Sequence, residues 1–349
     1  MELYIAGGCG EHGRNCFWVK GKQVSFLVDC GIKADCPENP YPDLQTEQIS
    51  DLKYVFLTHS HADHTGALQW LLNRGFQGTV IASRETFRQI RERLPFTQQL
   101  ESNIPVDNMR IEWGRSGHCA GSVWYHFFTE NKSIFFSGDY TEHSLIYTCD
   151  AVRKQTADVA VLDCAYGTAE LSFQEQCHKL TKRTRELLLS NGIVVFPVPK
   201  YGRGLDLFML FQEEFGDVPF YADEIFMDNL WKIKKDEFWY QPISMKTKVM
   251  KYNGEDRGIV FISDPQLRSK KARQMVDKIT ALGAKAIMTG TVEEGSCSQQ
   301  LIANGSMEMI GYPVHLNFSQ YLKLMKQNHF YKTIPYHSTA FANPKHVLF

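Results

Sequence analysis

No stretch of the chain approaches the ~18–20 consecutive apolar residues that a membrane-spanning helix needs, so no membrane anchor is expected. The opening Met1-Glu2-Leu3-Tyr4-Ile5-Ala6 lacks a basic segment followed by an apolar one, and no secretory leader is expected either. Paired-cysteine motifs are also missing. The nine cysteines are odd in number and none lies in a Cys-x-x-Cys pair. Dispersed cysteines in a chain this long fit reduced thiols in a cytoplasmic protein better than a disulfide framework. Cys119 and Cys164 adjoin candidate functional residues but read as packing residues. Neither charge sign is in excess, with 38 basic against 39 acidic residues, so no global field draws in nucleic acid. Two basic runs, Lys179 to Arg185 and Arg268 to Arg273, read as solvated helix faces that permit a polyanionic substrate without arguing for one. Internal repeats and low-complexity segments are absent.

What is present is an ordinary globular composition over 349 residues, 43% hydrophobic and 22% charged, enough for about two domains. The chain is organised around Thr58-His59-Ser60-His61-Ala62-Asp63-His64. The short run Tyr54-Val55-Phe56-Leu57 before it has the β-branched and aromatic character of a buried strand, and the residues after it show helical spacing. The motif therefore falls on a strand-to-helix loop, a usual place for scaffold-anchored chemistry. Alternate residues His59 and His61 share a direction if the extended backbone persists, while Asp63 and His64 turn with the chain toward a second, adjacent ion. Imidazole and carboxylate ligands suit zinc, manganese or iron alike. A single histidine is more often a plain surface or core residue, but four ligand-type residues within six positions do not fit that reading.

Other segments repeat a strand-then-polar pattern. Residues 1–30 read as antiparallel strands ending at Asp29, residues 33–50 as a Pro-rich loop, and Val80-Ile81-Ala82 as a strand. A helix capped by Ser83 or Thr86 should then run to Leu94. Ser116 to Ser122 is a glycine-flanked loop holding His118, and Asp139 and Asp163 each follow an apolar strand-like run. Delivery of polar residues from several strands to one edge is what a layered α/β metallohydrolase requires. From about residue 170 the pattern changes to alternating helices and strands, a second α/β unit with a partly parallel sheet. His315 and His337 come near the C-terminus, with a helix expected over 316–327 between them.

Taken together, these residues resemble the metallo-β-lactamase superfamily and, within it, the β-CASP branch of nucleic-acid-processing enzymes such as ribonuclease J and the cleavage-and-polyadenylation endonucleases. His-x-His-x-Asp-His at His59 to His64 is the superfamily's most specific motif, joined by Asp29, by His118 in Ser-Gly-His-Cys-Ala-Gly and by Asp139 in Ser-Gly-Asp-Tyr. The opening Gly7 to Cys16 is similar to that of ribonuclease J-type proteins. Asp163 resembles the branch's acidic motif A, His315 in Pro-Val-His-Leu-Asn its motif B, and His337 its motif C. A rival alignment places Phe318-Ser319 on motif B and Tyr321 at the histidine; the helix register favours His315. Pro197 to Leu210 and Gly290 to Gly295 resemble two cap segments. The departures are Asp206 near the usual glutamate, Ser263 to Leu267 in place of a glycine-rich turn, and no additional C-terminal domain.

The resemblance implies an α/β metallo-β-lactamase αββα sandwich with an inserted α/β β-CASP cap: core over 1–168, cap over 169–313, and a core return over 314–349. It implies two divalent ions, zinc in the first place with manganese or iron as alternatives. His59, His61, His118 and Asp139 would hold one, and Asp63, His64 and His337 the other, with Asp139 bridging. The resemblance assigns the general-acid role to His315, oriented by Asp163. Asp63 also acts at the reaction centre, and Asp29 supports a ligand from behind. Arg203 or the 268–273 run would touch substrate phosphates in a cleft between core and cap. The implied activity is two-metal phosphodiester hydrolysis, with single-stranded RNA as substrate and DNA as the alternative. A small-molecule ester or phosphodiester hydrolase and a catalytically silent RNA-binding subunit remain rival readings, and homo-oligomerisation stays open.

Overall fold

The computed structural model describes residues 1–90, 92–100, 106, 108–129, 131–233 and 235–349. The chain forms two compact units, one of Met1–Glu142, Cys149–Glu170 and His315–Phe349, the other of His143–Thr148 with Leu171–Val314.

In the first unit two sheets stack face to face. One has seven strands. Glu2–Gly7, Cys16–Lys20 and Ser25–Val28 run antiparallel, and Ser25–Val28, Tyr54–Phe56, Thr79–Ala82 and Thr97–Gln99 run parallel. His346–Leu348 closes the other edge. The second sheet has five strands, with Lys132–Phe136, Thr156–Asp163 and His329–Tyr336 in parallel succession. Side chains alternate across each strand. Phe26 and Phe56 meet Phe127, and Phe17 meets Phe136 and Tyr336, at ring-centroid separations of 4.7–5.7 Å between the sheets. Their neighbours Leu27 and Val55 face the other way, onto Ile49, Leu68 and Leu71. On the far side of the second sheet, Phe135 and Leu162 pack with Tyr321 and Leu324 of the helix Phe318–Lys326. Helix, sheet, sheet, helix is therefore the layer order. Pro335 sits in the edge strand, where the missing N–H breaks no ladder.

Two local expectations need correction. Residues 33–50 are not loop throughout, because Thr46–Ser50 is a helix closed by a Gln45–Gln48 capping box. The helix after Ser83, which Ser83 does cap by accepting from the Thr86 N–H, ends at Gln89 rather than running to Leu94. Ile90 turns extended there, and Thr97–Gln99 must reach the sheet edge beside Thr79–Ala82. Arg91, inside the expected span, lies outside the described residues.

The second unit is built on a six-stranded sheet, and every pairing in it is parallel. Its central strands Ile193–Pro197 and Gly258–Ile262 are buried along their whole length, as parallel strands covered on both faces must be. The segment His143–Thr148 joins this unit through Asp206 in the first turn of the helix Arg203–Glu214. That carboxylate accepts from the Leu145 N–H at 2.6 Å and from the Ser144 hydroxyl at 3.0 Å. Burial pushes the Asp206 carboxyl up to about 7, against the pull of those donors. Its folded pKa therefore exceeds the unfolded value of 3.8. The folded state holds its proton longer, and stability falls as pH rises from about 4 to about 7. Asp206→Asn keeps an acceptor for Leu145 and removes the titration. Unfolding free energies from urea titrations at pH 5 and pH 8 should thus differ less in the variant than in the wild type, by up to roughly 3 kcal/mol. An identical pH dependence in both proteins would rule this account out.

Candidate metal centre

Parallel pairing builds the site. Ser25–Val28 and Tyr54–Phe56 lie side by side in the first sheet, so Asp29 and Thr58-His59 emerge together from their C-terminal ends. In the second sheet Asp163 is in register with Tyr336, which places His337 next to it. Asp139 follows the neighbouring strand Lys132–Phe136, and His118 comes from the loop that returns after Arg110–Arg115. His59, His61, Asp63 and His64 occupy the turn into the short helix Ala62–Thr65, with His61 still extended at ψ 150°.

Two groups of donors converge there. In the first, His61 Nδ1 lies 3.0 Å from His59 Nε2 and 3.2 Å from His118 Nε2, and Asp139 Oδ2 stands 3.5 and 3.6 Å from the latter two nitrogens. In the second, Asp63 Oδ2 is 3.2 Å from His337 Nε2 and 3.5 Å from His64 Nε2, and Asp139 Oδ1 is 3.2 Å from His64 Nε2. Asp139 thus turns one oxygen to each group. His64 Nδ1 is 2.7 Å from Asp29 Oδ2, so its proton sits on Nδ1 and Nε2 keeps its lone pair for the centre. Asp29 is fixed in turn by the Thr58 N–H and hydroxyl at 2.7 and 2.8 Å.

These residues fit metal ions. Donors about 2.0–2.1 Å from a shared tetrahedral ion lie about 3.3–3.4 Å apart, and the separations above bracket that value. His337 Nδ1 is buried with no aligned hydrogen-bond partner, 3.4 Å from Asp139 Oδ1. The electrostatics agree. Burial lowers the His59 pKa well below its usual value, with His64 adding to the effect, so His59 sits neutral with a lone pair to give. Burial also acts to lower His64 and His337, yet the surrounding carboxylates, Asp139 first, raise His64 and bring His337 up to about 10. Burial would raise Asp139 and Asp63, and the imidazoles hold both below the usual carboxylate range. The carboxylates draw positive charge inward, a demand that a divalent ion meets.

Beside this centre His315 Nδ1 is 2.8 Å from Asp163 Oδ2. Asp163 is buried and accepts from the Tyr140 and Ala165 N–H groups at 3.0 and 3.1 Å. Asp139, Asp163, His315 and His337 form a third cluster of ligand-type groups overlapping the second. Tyr321, the rival to His315, is buried on its helix in the outer core. Arg203 belongs to the second unit, where its guanidinium rests against Gly290 so closely that any Cβ there would overlap it. In the 268–273 run, Arg268 pairs with Glu293 and Lys271 with Glu224.

Three contributors went unassigned in the sequence. Asn15 Nδ2 lies 2.9 Å from His64 Nε2 and 3.3 Å from Asp63 Oδ2. Thr58 holds Asp29, and the Tyr336 hydroxyl donates to Asp139 Oδ1 at 3.0 Å. The available signals were a polar residue opening an apolar strand at Asn15 and direct adjacency to ligand-type residues at the other two.

Similarity to known proteins agrees with this geometry. Residues 9–164 match the metallo-beta-lactamase superfamily. The chain is 26% identical over 262 residues to a Methanocaldococcus jannaschii protein named probable RNase MJ4, covering 64% of this chain and 59% of that one. Transcription termination factor FttA of Methanosarcina mazei is 25% identical over 266 residues, covering 64% of this chain and 42% of that protein. Endoribonuclease YSH1 of Candida albicans is 20% identical over 92% of this chain and 47% of its own length. The chain thus spans only about half the length of these relatives. A solved Enterococcus faecalis V583 protein of unknown function shares the fold, with a TM-score of 0.64 at 12% identity, covering 99% of this chain and 96% of that one. Among the described residues no helix is long and apolar enough to cross a membrane.

Within the first unit, Gly31 sets how closely the Asp63 turn approaches. A Cβ at Gly31 would overlap the Asp63 carbonyl, and the adjoining Cys30 N–H donates to the His64 carbonyl at 2.8 Å. Gly31→Ala should therefore cost about 1–3 kcal/mol of stability and weaken metal retention, read by urea titration and by metal content after dialysis.

Proposed function

We propose that the chain is a metal-dependent phosphodiesterase acting on single-stranded RNA, with two divalent ions held by His59, His61, His118 and Asp139 and by Asp63, His64, His337 and Asp139. The observation that carries this reading is the sharing of Asp139 between the two donor groups, with the Asp163–His315 pair alongside. The nitrogen-rich donor set favours zinc over manganese or iron. Ions bound there supply Lewis acidity toward phosphate oxygens and lower the pKa of water. His315 donates a proton to the leaving oxygen, while Asp163 holds its Nδ1–H, fixes the ring and supports its positive charge. Asp29 keeps His64 in the tautomer that offers Nε2 inward. We assign the β-CASP cap role to the unit Leu171–Val314 with His143–Thr148, and Arg203 within it to substrate phosphate. The relatives named as an RNase and an endoribonuclease support RNA over other phosphodiesters. The nine free thiols support a reducing, cytoplasmic setting.

The test is incubation of metal-loaded protein with end-labelled RNA and DNA, with and without a 5′ monophosphate. Cleavage of RNA that stops on chelation and returns with zinc is the expected result. A second reading, a small-molecule ester or phosphodiester hydrolase, is favoured by internal pairing of half the basic-run residues: Arg183 with Glu308, Arg185 with Glu214, Arg268 with Glu293 and Lys271 with Glu224. Turnover of bis(p-nitrophenyl) phosphate or an aryl ester with no action on either nucleic acid would select it.

A further inference from the structure

Half of the basic residues in the two runs legible in the sequence form ion pairs, and positive charge also gathers elsewhere. Residues 225–251 contain six lysines against three acidic residues, in a chain whose net charge is −1. This segment, entirely within the second unit, also carries four of that unit's exposed apolar groups: Trp231, 60% exposed, with Ile225, Phe238 and Met250. A cavity of about 470 Å³ opens between the helix Glu224–Ile233 and the segment 245–249, walled by Met227, Leu230, Trp231, Met245 and Val249. The charged groups on its lining are Lys246 and Lys248, with no carboxylate among them. Lys246 pairs with Glu213 outside the cavity, whereas among the described residues neither Lys248 nor Lys235 has a carboxylate partner.

The lysines and aromatic rings are interleaved. Lys235 Nζ lies 3.3 Å from the Trp231 ring centroid, and the ring remains largely exposed. On the adjoining loop the Tyr201 ring has Lys200 Nζ at 5.4 Å and Lys232 Nζ at 5.9 Å. Asn229 ties helix to loop by donating to the Lys200 carbonyl at 2.6 Å. An apolar slot flanked by an exposed indole, with ammonium groups at its rim, takes a flat apolar base and the phosphates on either side of it.

We propose that this surface of the second unit, centred on Trp231, Lys235 and Lys248, binds single-stranded RNA, seating a base in the Trp231 cavity and backbone phosphates on the lysines. The inference rests on the RNA reading above and adds to it a docking surface separate from the metal ligands.

The test measures binding of a fluorescein-labelled 12-nucleotide single-stranded RNA to the full chain by anisotropy in metal-free buffer, across a salt series. Trp231→Ala should weaken binding roughly tenfold and Trp231→Phe by much less, because stacking rather than bulk is removed. Lys235→Gln with Lys248→Gln should also reduce the slope of log K against log salt by about 0.7 for each phosphate no longer neutralised. Lys182→Gln, a change on the helix Phe173–Asn191 of the same unit and outside the cavity lining, controls for loss of a positive charge and should bind as wild type. Affinities of all variants within twofold of a wild type that does bind RNA would overturn this surface and leave the RNA reading standing. A wild type that hydrolyses model phosphodiesters but binds no RNA would overturn both. Conversion of a wild-type dimer to monomer by Trp231→Ala in sedimentation, with RNA affinity unchanged, would show the patch to be an interface between copies and overturn the proposal.

Discussion

Replacing Asp139 with alanine should abolish the proposed hydrolysis and strip metal from both proposed positions. Among the described residues Asp139 is the one member common to both donor groups, and its Oδ2 stands 3.5 Å from His59 Nε2 and its Oδ1 3.2 Å from His64 Nε2. Truncation removes a ligand from each group at once, where loss of His61 or Asp63 would remove one. The rate should fall by more than about 10³-fold, because deleting a single preorganised electrostatic contact already costs about 10²–10³-fold. Elemental analysis should find fewer than one ion per chain where two are expected for the wild type. The substitution also leaves the buried Tyr336 hydroxyl without its acceptor, a cost of about 1–3 kcal/mol, so a urea titration of the metal-free forms must accompany the measurement. Two retained ions and a rate within tenfold of wild type would remove Asp139 from its bridging role.

His315→Ala should cut RNA cleavage by about 10²–10⁴-fold, the range of a general acid, with both ions still bound. The separation of effects follows from where His315 points its bonds. Its Nδ1 is taken by Asp163 at 2.8 Å and lies 3.9 Å from Asp139, so the two principal donor groups are complete without it. A substrate with a p-nitrophenolate leaving group needs little protonation, and the variant should recover most of its rate on it. Asp163→Asn should fall between the two proteins on RNA, because the ring keeps a neighbour but loses the charge that supports its protonated form. Asparagine is the better probe than alanine here, as it can still accept from the Tyr140 and Ala165 N–H groups that Asp163 serves. Equal losses on RNA and on the activated substrate would refute the acid assignment.

The parts of this protein readable from its residues are those whose physics is local. His59 to His64 concentrate four ligand-type side chains in six residues after an apolar strand, and no distant contact is needed to read that density as metal chemistry. Asp29, Asp139 and Asp163 could be singled out because an apolar run followed by an acid marks a strand end. The αβ alternation after residue 170 likewise announced a parallel sheet, since helical and strand periods differ along the chain itself. Helix limits were less legible. The segment after Ser83 has helical spacing to Leu94, but strand pairing of Thr97–Gln99 beside Thr79–Ala82 ends the helix at Gln89.

Assembly is a different matter. His315 and His337 are more than 250 residues from His59 in sequence and join it through the parallel pairing of Thr156–Asp163 with His329–Tyr336. Resemblance could name them, but the residues around them carry no local sign of that partnership. The division of Asp139 between two donor groups, the hold of Asn15 on Asp63 and His64, and the Tyr336 hydroxyl on Asp139 all depend on which strands become neighbours. The lysine-rimmed Trp231 cavity is of the same kind, because it needs a helix and a later segment side by side. The sequence by itself determined the ligand types and the strand and helix periods, which short-range sterics and side-chain chemistry impose. Only the tertiary structure decided which oxygen faces which nitrogen, because that is set by long-range strand pairing and core packing.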